Sequence, residues 1–301
     1  MITEITGIKT IRMLYLQLLY RCNFACQHCF HGERLQHADA FTLEEAITLM
    51  RLMHKEYGTE AVNLLGGEPF VYKDLPEVVR YAKQELGLHV EICTNGYRIE
   101  RRLTEIAPYL DLLRISLEGN GATNDAIRKF GSYQGALSAL AHARDLGIPT
   151  GATMTVNARN IDEVLPLART LQDYGARQLK LHHLRPVGNA AHHPELLITG
   201  TAAYGRLRDQ LRTADDLMIE VIVDEDLSEE GAPGICDPVT GALAIPRIEA
   251  DPRGALTMSC KAVGKDAHAF WYDKEAGHVV HRPSATDEIA LAVPGVVYAR
   301  A

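Results

Sequence analysis

The chain has 301 residues, 47% of them hydrophobic and 23% charged, with six cysteines and a net charge of −8. That length buries a full core, as one large domain or a domain plus an extension, and the composition is that of an ordinary globular protein. The negative balance argues against a general nucleic-acid or anionic-membrane surface, no apolar run approaches the roughly 18 residues of a membrane helix, and the absence of a signal peptide or a dense disulfide pattern makes the reducing cytoplasm the expected compartment.

A strand is expected over 11–19, running into a cysteine-rich loop. Thr42-Leu-Glu-Glu45 is a capping box for a helix whose apolar residues Leu43, Ala46, Ile47, Met50 and Met53 recur at helical spacing until Gly58. A strand over 60–65 leads into Gly66-Gly67-Glu68-Pro69. Asp74 is the expected cap of a second helix with Leu75, Val78, Val79, Ala82 and Leu86 on its apolar face. A strand over 88–93 ends in Thr94-Asn95-Gly96. Helix 99–107, strand 111–117 and a helix over 133–146 capped by Ser132 follow. Strand 149–156, helix 162–174 with Pro166 near its start, and strand 177–184 complete the series.

Six strands alternating with helices imply right-handed βαβ units and a parallel sheet. The expected architecture is a partial (βα)6 barrel of the TIM type, with a doubly wound sheet as the competing α/β arrangement. In both, ligands gather at the C-terminal strand ends. The cysteine loop, GGEP, TNG and SLEG all fall there, which points to one site built from four consecutive strand ends. From residue 201 the pattern changes. A helix over 202–213 and a strand over 218–223 precede an acidic, Gly/Pro-rich stretch over 224–241. Short strand-like runs follow at 243–249, 254–260, 268–272 and 293–299. The expected division is a core over 1–200 and an α+β extension over 201–301 that covers the site.

Half of the cysteines sit in Cys22-Asn-Phe-Ala-Cys26-Gln-His-Cys29. This CxxxCxxC spacing can gather three thiolates around one centre. Three ligands leave one iron of a [4Fe–4S] cluster without a protein ligand, and an open position is the mark of catalytic metal chemistry. His28 and His31 lie close enough for zinc to stay open on local spacing alone.

Taken together these motifs resemble the radical S-adenosylmethionine (SAM) superfamily, in the branch with SPASM or twitch extensions. The resemblance covers about residues 11–190. It implies that Cys22, Cys26 and Cys29 hold one [4Fe–4S] cluster and that SAM occupies the open iron. It implies an enzyme in which reductive cleavage of SAM gives a 5′-deoxyadenosyl radical that takes hydrogen from substrate. By the same resemblance, Gly66, Gly67 and Glu68 receive the SAM amino group, and Ser116 and Glu118 form the ribose-binding pair, with Glu where Asp is frequent. Arg128 pairs with the SAM carboxylate, and Asn95 and Phe30 lie near SAM and its adenine. A capping Glu, an Asn-Gly turn and a solvated helix Arg are the ordinary alternatives for Glu68, Asn95 and Arg128.

In such extensions further cysteines bind auxiliary clusters. Here Cys236 and Cys260 are the only cysteines beyond Cys93, so a single cluster is expected. Cys236, Cys260 and His182 are the catalytic candidates, the thiols as hydrogen donors and the histidine as a substrate contact. The implied partners are a small-molecule or peptide substrate and an electron donor such as flavodoxin or ferredoxin. With 21 residues before Cys22, no fused leader-binding domain is expected, which favours an amino acid, sugar or natural-product intermediate over a ribosomal peptide. A non-catalytic iron–sulfur redox or sensor protein is the alternative of another class.

Overall fold

A computed structural model describes residues 10–200, 202–223, 244–257 and 270–281. Among them the strands are β1 (Thr10–Gln17), β2 (Ala61–Leu65), β3 (His89–Thr94), β4 (Leu112–Ser116), β5 (Thr150–Val156), β6 (Gln178–His183), β7 (Glu220–Val223), β8 (Ala244–Ala250), β9 (Ala255–Thr257), β10 (Phe270–Asp273) and β11 (His278–His281). The helices are α1 (Leu43–Tyr57), α2 (Leu75–Gln84), α3 (Glu100–Ile106), α4 (Gly121–Ile127), α5 (Ser132–Asp145), α6 (Val164–Asp173) and α7 (Ala202–Arg212). This is an α/β fold with a mostly parallel sheet and antiparallel strands toward the C-terminus. It divides into two compact units, Met1–Arg21 with Gln36–Ile92 and Pro233–Ala301, and Cys22–Leu35 with Cys93–Ala232.

In the first unit β1 pairs in parallel with both β2 and β8, and β2 with β3. Register aligns Leu14 with Val62 and Val90, and Leu16 with Leu64 and Ile92. All six are fully buried, so one face of this sheet is a continuous aliphatic layer, each side chain contributing about 1.5–3 kcal/mol. α1 buries Ala46, Leu49, Met50, Met53 and Tyr57. Its capping box forms as expected, with Thr42 Oγ1 accepting from Glu45 N and Glu45 Oε2 accepting from Thr42 N. At the other end Gly58 takes φ +63° and its N–H reaches Met53 O. β8, β9, β10 and β11 continue the sheet, the last three antiparallel.

In the second unit β4, β5, β6 and β7 pair in parallel. Ile115, Ala152 and Leu179 form one buried row, and Met154 and Leu181 the next. Side chains alternate along a strand, so the opposite face is polar. It carries Arg114, Gln178 and Glu220 in one row, Ser116, Thr153 and Lys180 in the next, and Thr155 with His182 in the third. Gly151 stands between Arg114 and Gln178 in the first row, and its bare Cα lets Arg114 Nη2 donate to Gln178 Oε1 at 3.0 Å.

Several expectations need correction. Asp74 precedes α2 without a side-chain cap. Ser132 is the first residue of α5 rather than its cap. Gly131, at φ +76°, takes the cap position, and Ser132 Oγ turns to Asp125. The helix expected from 162 begins as a 3-10 turn, Ile161–Glu163, before α6. α4 and β11 had no counterpart in the sequence reading. The run 293–299, the acidic stretch 224–241, Cys236 and Cys260 lie outside the described residues.

Candidate functional site

The cysteine loop belongs to the second unit, and three elements of that unit hold its shape. Asn189, just past β6, donates from its backbone N to Cys29 O at 2.8 Å and from Nδ2 to Cys26 O at 2.9 Å. Gly188 makes this approach possible. It sits at φ +59°, and a Cβ there would overlap the Cys29 and Phe30 carbonyls. From the α4 side, Gln27 N donates to Ile127 O at 2.9 Å. From the end of β3, Asn95 Nδ2 donates to Asn23 Oδ1 at 2.8 Å, while Asn95 Oδ1 accepts from Tyr97 N in an Asx turn. Asn95 therefore makes the ordinary turn and also grips the loop.

Cys22 and Cys29 are half-buried and Cys26 is 8% exposed. Burial pushes the Cys26 thiol up to about 11. Arg128 lowers it, and Cys29 and Glu118 add to the rise. Burial also raises Cys29, against the backbone amides of His31 and Gly32. Among the described residues, no three Cys, His, Asp or Glu side chains converge as the ligands of a single ion do. Three ligands of a four-iron cluster each meet a different iron and need no such convergence.

Behind the loop lies a buried charge cluster. Glu118 is 1% exposed, and its Oε1 accepts from Arg128 Nη2 at 2.5 Å and faces His28 Nε2 at 3.2 Å. Its Oε2 accepts from Thr155 N at 2.8 Å. Burial raises the Glu118 carboxyl, but His28 and Arg128 outweigh it and hold the pKa at about 2. Burial likewise works against the Arg128 cation, and Glu118 and Cys26 drive its pKa above the ordinary value. The backbone around Glu118 is fixed as well, its N donating to Asn124 Oδ1 and its O accepting from Asn160 Nδ2. Two buried atoms of the cluster, Arg128 Nε and His28 Nδ1, lack a hydrogen-bond partner. Such orphans are what a bound polar group satisfies.

The remaining predicted residues fall into three places. Ser116 Oγ shares a 3.6 Å hydrogen bond with Cys93 Sγ and accepts from Thr153 Oγ1 at 3.4 Å. His182 aligns with Thr155, in the row that feeds Glu118, whereas His183 turns to Tyr204 of α7, with Nδ1 2.8 Å from the hydroxyl. Phe30 is 42% exposed and lies over His31, ring centroids 4.1 Å apart. Gly66, Gly67 and Glu68 belong to the first unit. There Gly66 takes φ +145°, Gly67 N donates to Leu19 O, and Glu68 N donates to Arg21 O. A Cβ on Gly67 would overlap the carbonyls of Tyr20 and Arg21. Glu68 is buried and its Oε1 accepts from Phe70 N at 3.0 Å.

Asn189, Thr155, Asn124 and Asn160 carry roles that no local motif signals, and nothing in the sequence pairs His28 with a charged partner. The one available signal is the Arg185-Pro-Val-Gly188 turn that follows the sixth strand. In the structure that turn grips the cysteine loop.

The model of the radical SAM superfamily matches residues 16–171, just over half of the chain. The chain is 29% identical over 177 residues to Fe-coproporphyrin III synthase of Methanosarcina barkeri, covering 57% of this chain and 43% of that protein. It is 31% identical over 236 residues to the mycofactocin maturase MftC of Mycolicibacterium smegmatis, covering 76% and 58%. Streptococcus suis SuiB bound to precursor peptide SuiA shares the fold with a TM-score of 0.69 at 16% identity, over 86% of this chain and 61% of that one. SuiB bound to S-adenosylmethionine gives the same TM-score, over 87% and 63%. The chain thus spans less than two thirds of the length of each of these relatives. The cofactors of the matched family are a [4Fe–4S] cluster and SAM, and three thiols on one loop in front of a buried Arg–Glu–His cluster suit both. On the family match and the loop it contains, the chain belongs to the radical SAM superfamily.

Proposed function

We propose that this protein is a radical SAM enzyme that abstracts hydrogen from a peptide substrate. The observation that carries the catalytic part is the placement of the Cys22, Cys26 and Cys29 loop against the buried Glu118–Arg128–His28 cluster. The group held by the loop supplies, when bound, one-electron cleavage of SAM and a radical strong enough to take hydrogen from carbon.

The chain's own residues do the holding and orienting. Cys22, Cys26 and Cys29 are the three cluster ligands. Glu118 does not face SAM directly in this reading, because both its oxygens serve protein groups. It locks Arg128, whose unpartnered Nε is the donor offered to the SAM carboxylate. Asn95, Ser116 and Phe30 border the same unit's polar face and loop. Gly66 and Gly67 keep the backbone around Glu68 close to Tyr20 and Arg21, and the SAM amino group is the proposed guest of that turn. His182, in the Thr155 row, is the proposed substrate contact.

Peptide is favoured over the small molecule expected from sequence, because MftC, which aligns over 76% of this chain, is named a maturase and SuiB is described with a precursor peptide. A small molecule is the second reading, supported by the Fe-coproporphyrin III synthase relative. The test is anaerobic reconstitution, reduction with dithionite and addition of SAM. Formation of 5′-deoxyadenosine supports the enzyme, and an intact cluster that leaves SAM uncleaved refutes it. Turnover with short peptides encoded beside the gene, read as a mass change, decides the substrate class.

A further inference from the structure

Phe130 is 91% exposed. A lone exposed Phe needs no explanation, but this one is built into a rigid support. Asp125 accepts from Gly131 N at 2.7 Å, Tyr133 N at 2.8 Å and Ser132 Oγ at 3.1 Å. Ser132 N donates to Lys129 O at 3.0 Å. The backbone on either side of Phe130 is therefore tied, from Lys129 O to Tyr133 N, while the ring itself stands exposed.

Its neighbour Lys129 connects that turn to the cysteine loop. Lys129 Nζ lies 5.2 Å from the Phe24 ring centroid and 5.1 Å from that of Tyr97, and the two rings stand 5.5 Å apart, edge to face. Arg98 covers Tyr97 at 5.1 Å, held at φ +59°, the left-handed backbone that side chains rarely adopt. Phe24 itself sits between Cys22 and Cys26, and its N donates to Cys22 Sγ at 3.4 Å. The outcome is two exposed cations and, next to one of them in the chain, an exposed aromatic ring, with Lys129 lying over Phe24 of the loop that carries the thiols. It stands on a chain whose net charge is −8.

We propose that Arg98, Lys129 and Phe130 form the docking surface for a small acidic flavoprotein that delivers single electrons to the centre held by the cysteine loop. The cations match an acidic partner and steer its approach, and the exposed aromatic ring suits the apolar edge of a flavin. In the transfer the reduced flavin loses one electron and the cluster gains it, and no covalent bond forms or breaks. The inference rests on the radical SAM reading above and names the partner that reading requires.

The test measures binding of a bacterial flavodoxin to the anaerobically reconstituted protein by calorimetry, at low and high salt. The comparison is wild type against Lys129→Glu and Phe130→Ser. Neither residue touches the proposed cluster or SAM, so dithionite-driven formation of 5′-deoxyadenosine should stay within about twofold of wild type. Affinity for flavodoxin should fall about tenfold in Lys129→Glu, with a flatter salt dependence, and several-fold in Phe130→Ser. Unchanged affinity in both variants overturns the proposal. So does a loss of self-association in sedimentation, which would assign the surface to a second copy of the chain, or binding of a ferredoxin in preference to flavodoxin. Failure of wild type to cleave SAM with dithionite is a different result. It removes the radical SAM reading itself, and this inference with it.

Discussion

Arg128 Nη2 meets Glu118 Oε1 at 2.5 Å inside the protein, the acid 1% and the base 10% exposed. A pair this buried contributes little net stability while intact, but removing one partner strands the other. Glu118→Gln should therefore destabilise the protein by about 3 kcal/mol, measured by urea unfolding. The wild-type protein carries a matching acid signature. Its Glu118 pKa is held at about 2, below the ordinary 4.5, so the contribution is complete above pH 4.5 and lost as pH falls through about 2. Unfolding free energy should decline over that window in wild type, and Glu118→Gln should lack this part of the decline.

Thiol reactivity offers a second check. Burial and neighbouring acids place the apo Cys26 thiol at about 11, so its thiolate is scarce at neutral pH. Alkylation by iodoacetamide, followed residue by residue by mass spectrometry, should be slow at Cys26 and should climb steeply toward pH 11. Arg128 lowers that thiol, so Arg128→Gln should slow Cys26 further. Equal rates in the two proteins would deny the electrostatic link between Arg128 and the loop.

Gly67 has no room for a side chain beside Tyr20 and Arg21. Gly67→Ala should cost about 1–3 kcal/mol of stability, as overpacking does, and should weaken SAM binding to the reconstituted protein. Gly58→Ala is the control. It strains a φ of +63° but meets nothing within 4 Å, so it should lower stability without altering SAM affinity.

Asn189→Ala removes the Nδ2 bond to Cys26 O and keeps the backbone bond to Cys29 O. The expected loss is about 1 kcal/mol. Hydrogen exchange should speed up around residues 26–32 while β4 and β5 stay protected. The cluster should become more sensitive to air.

The repeating β–α order was legible because local signals agree with tertiary need. Leu14, Leu16, Val62 and Leu64 read as buried strands, and the Thr42–Glu45 box reads as a helix start and forms as one. Helix α4 was invisible because Gly121–Ile127 has only seven residues and little apolar periodicity. It is held by Asn124, which reaches Glu118 N and Ser132 Oγ. Ser132 read as a cap because Ser usually caps, but Gly131 at φ +76° makes the turn and frees the hydroxyl for Asp125. For the site, the three cysteines were plain from spacing. The partnership of Glu118 with Arg128 and His28 was not, since residues 28 and 118 meet only through the fold and no local rule pairs them.

The grip of Asn189 on the cysteine loop also sets an order of events in the life of the chain. The bond to Cys26 O spans 163 residues, so this restraint on the loop is missing until the chain beyond β6 has been made and docked. Contacts this distant in sequence form late. If the three cysteines hold a cluster, its ligands gain this restraint only after synthesis has passed residue 189.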